Sequence, residues 1–256
     1  VFKPRVGRKK EFETASVVME KLIARVTSQG AGPLFVYTHL MDPHAPYGDV
    51  GDEGSAWERY LLEVQQCDAA IGELRDAIAT AGLARRTALI ISADHGEGHG
   101  DHGLPTHGGT ALYEAIVRVP LIVHVPGVKP VQIDAPVSLI DVGPTVLDLM
   151  GVTTPGMFLG ESLVPYLRGE TPARQRPIAL EAAKVRGLVT ADNHKVIIDR
   201  RMHREQIFDL TEDPEEQYNL REALGERGDE MVREVHRFFQ PRAFRGKVEE
   251  APPTSK

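Results

Sequence analysis

Apolar residues recur at helical spacing from Glu11 to Ser28, where Val17, Val18, Leu22, Ile23 and Val26 form one stripe of "EFETASVVMEKLIARVTS", and that period predicts an amphipathic helix. Gly30 and Gly32 stop it, and "PLFVYTHL" at 33–40 follows as a short apolar strand. Pro, Gly and Asp then fill residues 42–54, a loop composition. A second helix is predicted from Ser55 to Ala81, with Leu61, Val64, Ile71, Leu74 and Ile78 on one side and Gly82 just past its end. "TALIIS" at 87–92 is nearly all apolar, the pattern of a strand covered on both faces in a mostly parallel sheet. "ALYEAIV" has room for a turn or two of helix, "VPLIVHV" reads as another buried strand, and "DVGPTVLDLMG" opens a helix with Pro144 in its first turn.

Helix and strand in alternation predict an α/β fold with helices on both faces of the sheet. In such sheets ligands gather beyond the carboxyl ends of the strands, and both "THLMDPH" and "IISADHG" deliver polar residues there. From about Arg176 the pattern changes to short strand-like runs, "PIALEAA", "VRGLVTADNHKVIID" and "EQIFDL", followed by a polar helix around "GERGDEMVREVHRFFQ". The expected organisation is therefore an α/β domain at 1–175, a small antiparallel annex with a terminal helix at 176–245, and a disordered tail at 246–256, whose "EEAPPTSK" is too polar to pack.

Composition narrows the function classes. A net charge of -7 argues against a polyanionic partner, since nucleic-acid binding needs a basic face. The basic stretches "KPRVGRKK" and "RFFQPRAFRGK" are too short to reverse that. No run approaches the ~20 apolar residues of a membrane span. The single cysteine, Cys67, has no partner for a disulfide within the chain and falls on the second helix, which suits a buried thiol better than a nucleophile. The chain starts at Val1, and the expectation is a piece of a longer polypeptide, with its compartment undetermined.

Reactive chemistry concentrates in "SADHGEGHGDHG", residues 92–103. A helical zinc-protease motif does not fit, because Gly96 stands where the acid should follow His95, and glycines at 96, 98 and 100 oppose a helix by roughly 1 kcal/mol each. Asp94 and His95, leaving a strand together, suit a cation better, with glycines that let the backbone bend close to an ion. A carboxylate with an imidazole suits Zn, Mn or Fe, and a carboxylate with further oxygens suits Ca or Mg. The bland alternative is a loop in which Asp94 caps backbone amides and His95 is merely exposed.

The ordered set "FVYTHLMDPHAPY", "CDAAIGELRDAI", "SADHGE", "HGGTALYEAIVRVPLIVHVPG", "VSLIDVGPTVLDLMGV", "GLVTADNHKVI" and "QIFDLTEDPEEQYNL" resembles the sulfatases of the alkaline-phosphatase-like superfamily, over roughly residues 12–220. The resemblance implies a three-layer α/β/α sandwich, incomplete at its N-terminus, with a small C-terminal antiparallel sheet. It implies that Asp94 and His95 bind one divalent metal, calcium first and manganese or zinc as alternatives. It gives His44 the role of protonating the leaving oxygen and places His107 against the sulfate oxygens, though His44 could also brace its Pro-rich turn and His107 could simply be exposed. His102 matches a recurrent family position without an assigned role. His39 and His99 read as supporting residues, Tyr113, Glu114 and Arg118 as pins between a helix and the sheet, Lys195 as part of the annex, and His194 and His203 have no site argument.

The family's nucleophile, a formylglycine made in a C/S-x-P-x-R motif, is not in this chain, nor is its early Asp-Asp metal pair. Cys67 is followed by "DAAI" and does not fit the motif. The expected function is thus part of a metal-dependent hydrolase of sulfate esters or sulfated carbohydrates, completed by a missing N-terminal segment of the same polypeptide, with this chain alone inactive and poorly soluble. Phosphoester or phosphonate hydrolysis and phosphoethanolamine transfer are the alternatives within the superfamily. A non-catalytic remnant or binding module is the alternative from another class. Export to the periplasm or outside the cell is expected from the resemblance alone.

Overall fold

The computed structural model describes residues 12–28, 30, 32–48, 53–106, 111–170 and 176–240. The expected tail at 246–256, both basic terminal stretches in whole or part, and His107 lie outside them. The chain groups into two units, one within Val1–Asp94, Val119–Ile133 and Leu139–Pro172, the other within His95–Arg118, Asp134–Ser138 and Ala173–Lys256.

The first unit is built on two of the predicted helices, α1 (Ala15–Thr27) and α2 (Ala56–Thr80). They meet along a seam of Ala15 and Met19 against Cys67, Ala70, Leu74 and Ile78. The spacing on α2 is helical, but the stripe is rotated from the one the largest apolar residues suggest: Val17, Leu61 and Val64 are more than a third exposed. Small side chains at Ala15, Cys67 and Ala70 let the helices approach, and that choice sets the face. Cys67 is a buried thiol, as its helical position predicted. A capping box starts α2. Ser55 Oγ accepts from the Glu58 amide at 3.2 Å, and Glu58 Oε2 accepts from the Ser55 amide at 2.7 Å. Gly82, at φ +71°, ends the helix in the left-handed region.

β1 (Leu89–Ser92) pairs with β2 (Leu121–His124) in antiparallel register, Leu89 opposite His124 and Ser92 opposite Leu121. This departs from the mostly parallel sheet read from the apolar runs. Nor is β2 covered on both faces, since Ile122 is 57% exposed. The segment "PLFVYTHL" forms no strand among the described residues, and Phe35 and Tyr37 are 60% and 76% exposed. An apolar run expresses a capacity for burial, whereas a strand exists only when a second backbone supplies its hydrogen bonds. The unit closes with α4 (Val142–Leu149) and α5 (Val164–Leu167). Buried Asp141 and Thr145 tie them: Asp141 Oδ1 accepts from the Glu161 amide at 2.8 Å, and Thr145 Oγ1 from the Leu163 amide at 2.8 Å.

The second unit holds a four-stranded antiparallel sheet in sequential order, β3 (Ile178–Ala182), β4 (Val185–Val189), β5 (His194–Asp199) and β6 (Arg204–Asp209). Strand alternation sends Leu188, Val196, Ile198 and Ile207 to one face, where they meet Met231, Val232 and Val235 of α6 (Gly225–Phe238). The opposite face carries Val185, Ile197 and Phe208, which pack on Leu112 beside the single helical turn α3 (Glu114–Val117). With both faces covered, β5 is a nearly continuous buried run.

Candidate active site

His44 sits at an exposed turn whose amide donates to the Met41 carbonyl at 3.1 Å. Its neighbours hold that turn against both helices of the first unit. Buried Asp42 accepts from the Ala15 amide at 3.1 Å, satisfying a donor at the start of α1 that the helix itself leaves open. On the other side of the turn, the Gly48 amide donates to buried Glu63 at 2.8 Å, and Arg59 Nε donates to the Tyr47 carbonyl at 3.0 Å. The His44 ring is oriented by Nδ1, 2.7 Å from the Ala45 carbonyl. A carbonyl only accepts, so Nδ1 carries a proton and proton exchange with a ligand falls to Nε2.

Asp94, exposed, ends the first unit just after β1, and His95, half-buried, begins the second. His95 Nδ1 lies 2.8 Å from the Gly96 carbonyl, the same donation as in His44, which assigns the lone pair to Nε2. The glycines here have a structural duty that the sequence does not reveal. The Gly96 amide donates to the Ile116 carbonyl at 2.7 Å, and a Cβ on Gly96 would stand 2.1 Å from the Ala115 oxygen. A Cβ on Gly98 would stand 2.4 Å from the Leu104 oxygen. Both positions are required by the approach of a second backbone.

A carboxyl group and an imidazole whose Nδ1 is engaged by a carbonyl form a donor pair suited to a divalent cation, so Asp94 and His95 fit part of a metal shell. Among the described residues no group of three or more His, Cys, Asp or Glu is placed to hold an ion, so further ligands are needed beside this pair.

The remaining candidates are structural. Lys195, with no exposed surface, lies 2.8 Å from Glu114 and 2.9 Å from Glu216. Burial pushes the Glu216 carboxyl above its usual range, against the pull of Lys195. Tyr113 donates to Gln206 Oε1 at 3.0 Å and stacks on His102 with ring centroids 3.9 Å apart. His102 Nε2 donates to the Glu216 carbonyl at 3.0 Å. Tyr113 and Glu114 thus pin the α3 segment to the sheet, as anticipated. Asp42, Glu63, Gln206 and Glu216 were missed, since each is an ordinary polar residue whose partner is distant in sequence. His39 is 3.0 Å from the Tyr37 hydroxyl, and His194 Nδ1 is 3.2 Å from Asp192. No described helix is long and apolar enough to cross a membrane.

The sulfatase family profile matches residues 9–152, and the profile "N-sulphoglucosamine sulphohydrolase, C-terminal" matches residues 100–238. Arylsulfatase D of Homo sapiens is 33% identical over 174 residues, covering 61% of this chain and 29% of that protein. The structure of BT4656 in complex with its substrate D-glucosamine-2-N,6-O-disulfate matches with a TM-score of 0.60 and 25% identity, over 73% of this chain and 42% of that one. A phosphonate monoester hydrolase of Silicibacter pomeroyi matches with a TM-score of 0.58 and 25% identity, over 72% and 40%. The chain therefore spans from 29% to 42% of these three proteins' own lengths. With the family profile matching more than half of its residues, on a mixed α/β body of alkaline-phosphatase-like fold that ends in a small antiparallel sheet, the chain belongs to the sulfatase family.

Proposed function

We propose that this chain contributes the late metal ligands and the leaving-group acid of a hydrolase that cleaves sulfate esters, with sulfated sugars as its substrate class. The observation that carries the reading is a pair of features in a sulfatase-family chain: Asp94 and His95 after β1, and His44 on a turn braced by Asp42 and Glu63. The nucleophile, formylglycine by the family resemblance, and the other metal ligands come from outside these residues.

Asp94 offers a carboxylate oxygen and His95 its Nε2 to a divalent cation, calcium first. When bound, that ion draws charge from the sulfate oxygens. His44, with Nδ1 donating to Ala45, delivers a proton from Nε2 to the ester oxygen as the S–O bond breaks, so the alcohol departs neutral. His107 places a cationic or donor group on the sulfate oxygens and opposes the charge that develops there. A sulfated sugar as substrate draws support from the BT4656 complex. Hydrolysis of phosphonate monoesters is the second reading, favoured by the similarity to the Silicibacter enzyme.

The test uses the natural gene product at its full length, assayed with Ca2+ on an aryl sulfate, a sulfated glucosamine and an aryl phosphonate monoester. Sulfate release that falls by about 10²–10⁴ in His44→Ala, with loss of Ca2+ dependence of the rate in Asp94→Asn, is the expected result. Turnover of the phosphonate alone selects the second reading. Absence of both turnover and Ca2+ binding overturns both readings in favour of a binding module.

A further inference from the structure

Two strained residues meet where neither metal binding nor leaving-group chemistry requires them. His102 has φ +48° and Glu216 has φ +56°, the left-handed region that side chains rarely adopt. They lie 114 positions apart, yet His102 Nε2 donates directly to the Glu216 carbonyl at 3.0 Å. Such conformations persist only where the surroundings over-determine them. Here they do. The His102 ring is stacked on Tyr113 at an interplanar angle of 14°, and the Tyr113 hydroxyl is held by Gln206 on β6. Glu216 is held by Lys195 of β5 and accepts from the Glu114 amide.

We propose that His102 is a positioning residue for the loop that carries His95, and that the Lys195–Glu114–Glu216 cluster is its anchor. The loop turns on Gly100 and Gly103 at φ +99° and +72°, with short-range backbone bonds from Asp101 to Gly98, Gly100 to Leu104 and Leu104 to Asp101 at 2.7 Å each, and from Gly103 to Gly100 at 3.1 Å. A long-range backbone bond, from Gly96 to Ile116, runs to the same α3 segment that Glu114 ties to Lys195. The loop is therefore clamped at both ends on one rigid support, at Gly96 through α3 and at His102 through Glu216. That arrangement fixes the backbone from which the His95 ring projects.

The test is amide hydrogen exchange on the natural gene product at its full length, comparing the native protein with His102→Phe and His102→Asn. Phenylalanine keeps a flat ring for Tyr113 but cannot donate to Glu216. Asparagine tolerates the left-handed backbone but is too short to reach, so either variant serves if the other fails to fold. The expected result is exchange at Gly96, Gly100 and Leu104 at least tenfold faster, with β5 and β6 amides unchanged. Unchanged loop exchange overturns the proposal, as does acceleration that spreads equally into β5 and β6, because His102 is then only part of the general packing. The link to His95 as a ligand rests on the function proposed above and is read separately, by calorimetric titration of the same chains with Ca2+. A tenfold or greater loss of affinity in the variants is expected. Loosened loops with equal Ca2+ affinity overturn the role toward the metal. Loosened loops in variants of a full-length protein whose native form binds no Ca2+ remove the metal assignment and leave the positioning role standing.

Discussion

Lys195 is the residue whose environment departs most from its type: a long cationic side chain with no exposed surface, facing two carboxylates. Removing only the cation leaves Glu114 and Glu216 together without compensation, so Lys195→Met costs about 3–5 kcal/mol, read from urea unfolding of the chain. The triple replacement Lys195→Met, Glu114→Gln, Glu216→Gln removes all three charges and recovers most of that loss. Burial raises the Glu216 carboxyl, with the nearby Glu114 adding to the shift. The folded protein then keeps a proton that the unfolded chain has released. The stability from this group is present below the ordinary carboxylate range and is lost as pH rises from there through the raised value. Glu216→Gln abolishes that falling limb in a pH series of unfolding curves. At this scale Asp94, His95 and His44 were legible because the chemistry sits within a few consecutive residues after a predicted strand. Glu216 was not, because its amide partner Glu114 is 102 positions away.

Elements were legible wherever local signals agreed with tertiary packing. Ser55, Glu58 and Gly82 mark both ends of α2, and the observed helix lies within one residue of the expected limits at each end. Ser55→Ala removes an acceptor from the first turn and lowers stability by about 1 kcal/mol. Glu58, whose carboxyl is held below its usual range chiefly by the Ser55 amide, keeps that backbone donor in the variant and loses only the hydroxyl. The annex strands were legible for a different reason, since turn residues separate short runs of β-forming side chains; of the three runs expected, the middle one divides into β4 and β5. Ile207, fully buried between β5 and α6, reports on that sheet. Ile207→Ala costs about 2–5 kcal/mol by chemical unfolding followed at the sheet's amides. "PLFVYTHL" is the counterexample. Its composition is that of a strand, yet Tyr37 is exposed and no described backbone pairs with it.

At the level of the whole molecule, several large apolar side chains of the first unit are exposed. Met157 and Leu159 are 83% and 85% exposed, and Phe35, Tyr37 and Ile122 are exposed too. Apolar surface left in water drives association. The chain is expected to self-associate with rising concentration in light scattering, and Met157→Ser with Leu159→Ser to reduce it without altering the unfolding midpoint by more than about 0.5 kcal/mol.

The sequence alone determined the helices, the annex strands and the short clusters that carry chemistry, since each is written in spacing, caps and turns within a few residues. The ordered motifs also identified the family. Tertiary structure decided which face of α2 is buried, the antiparallel pairing of β1 with β2, and why the site glycines cannot be replaced. It also decided that Lys195, Glu114, Glu216 and His102 meet. These outcomes depend on which backbone or charge arrives from a distant part of the chain, and a buried lysine or a glycine beside a carbonyl acquires its meaning only from that neighbour.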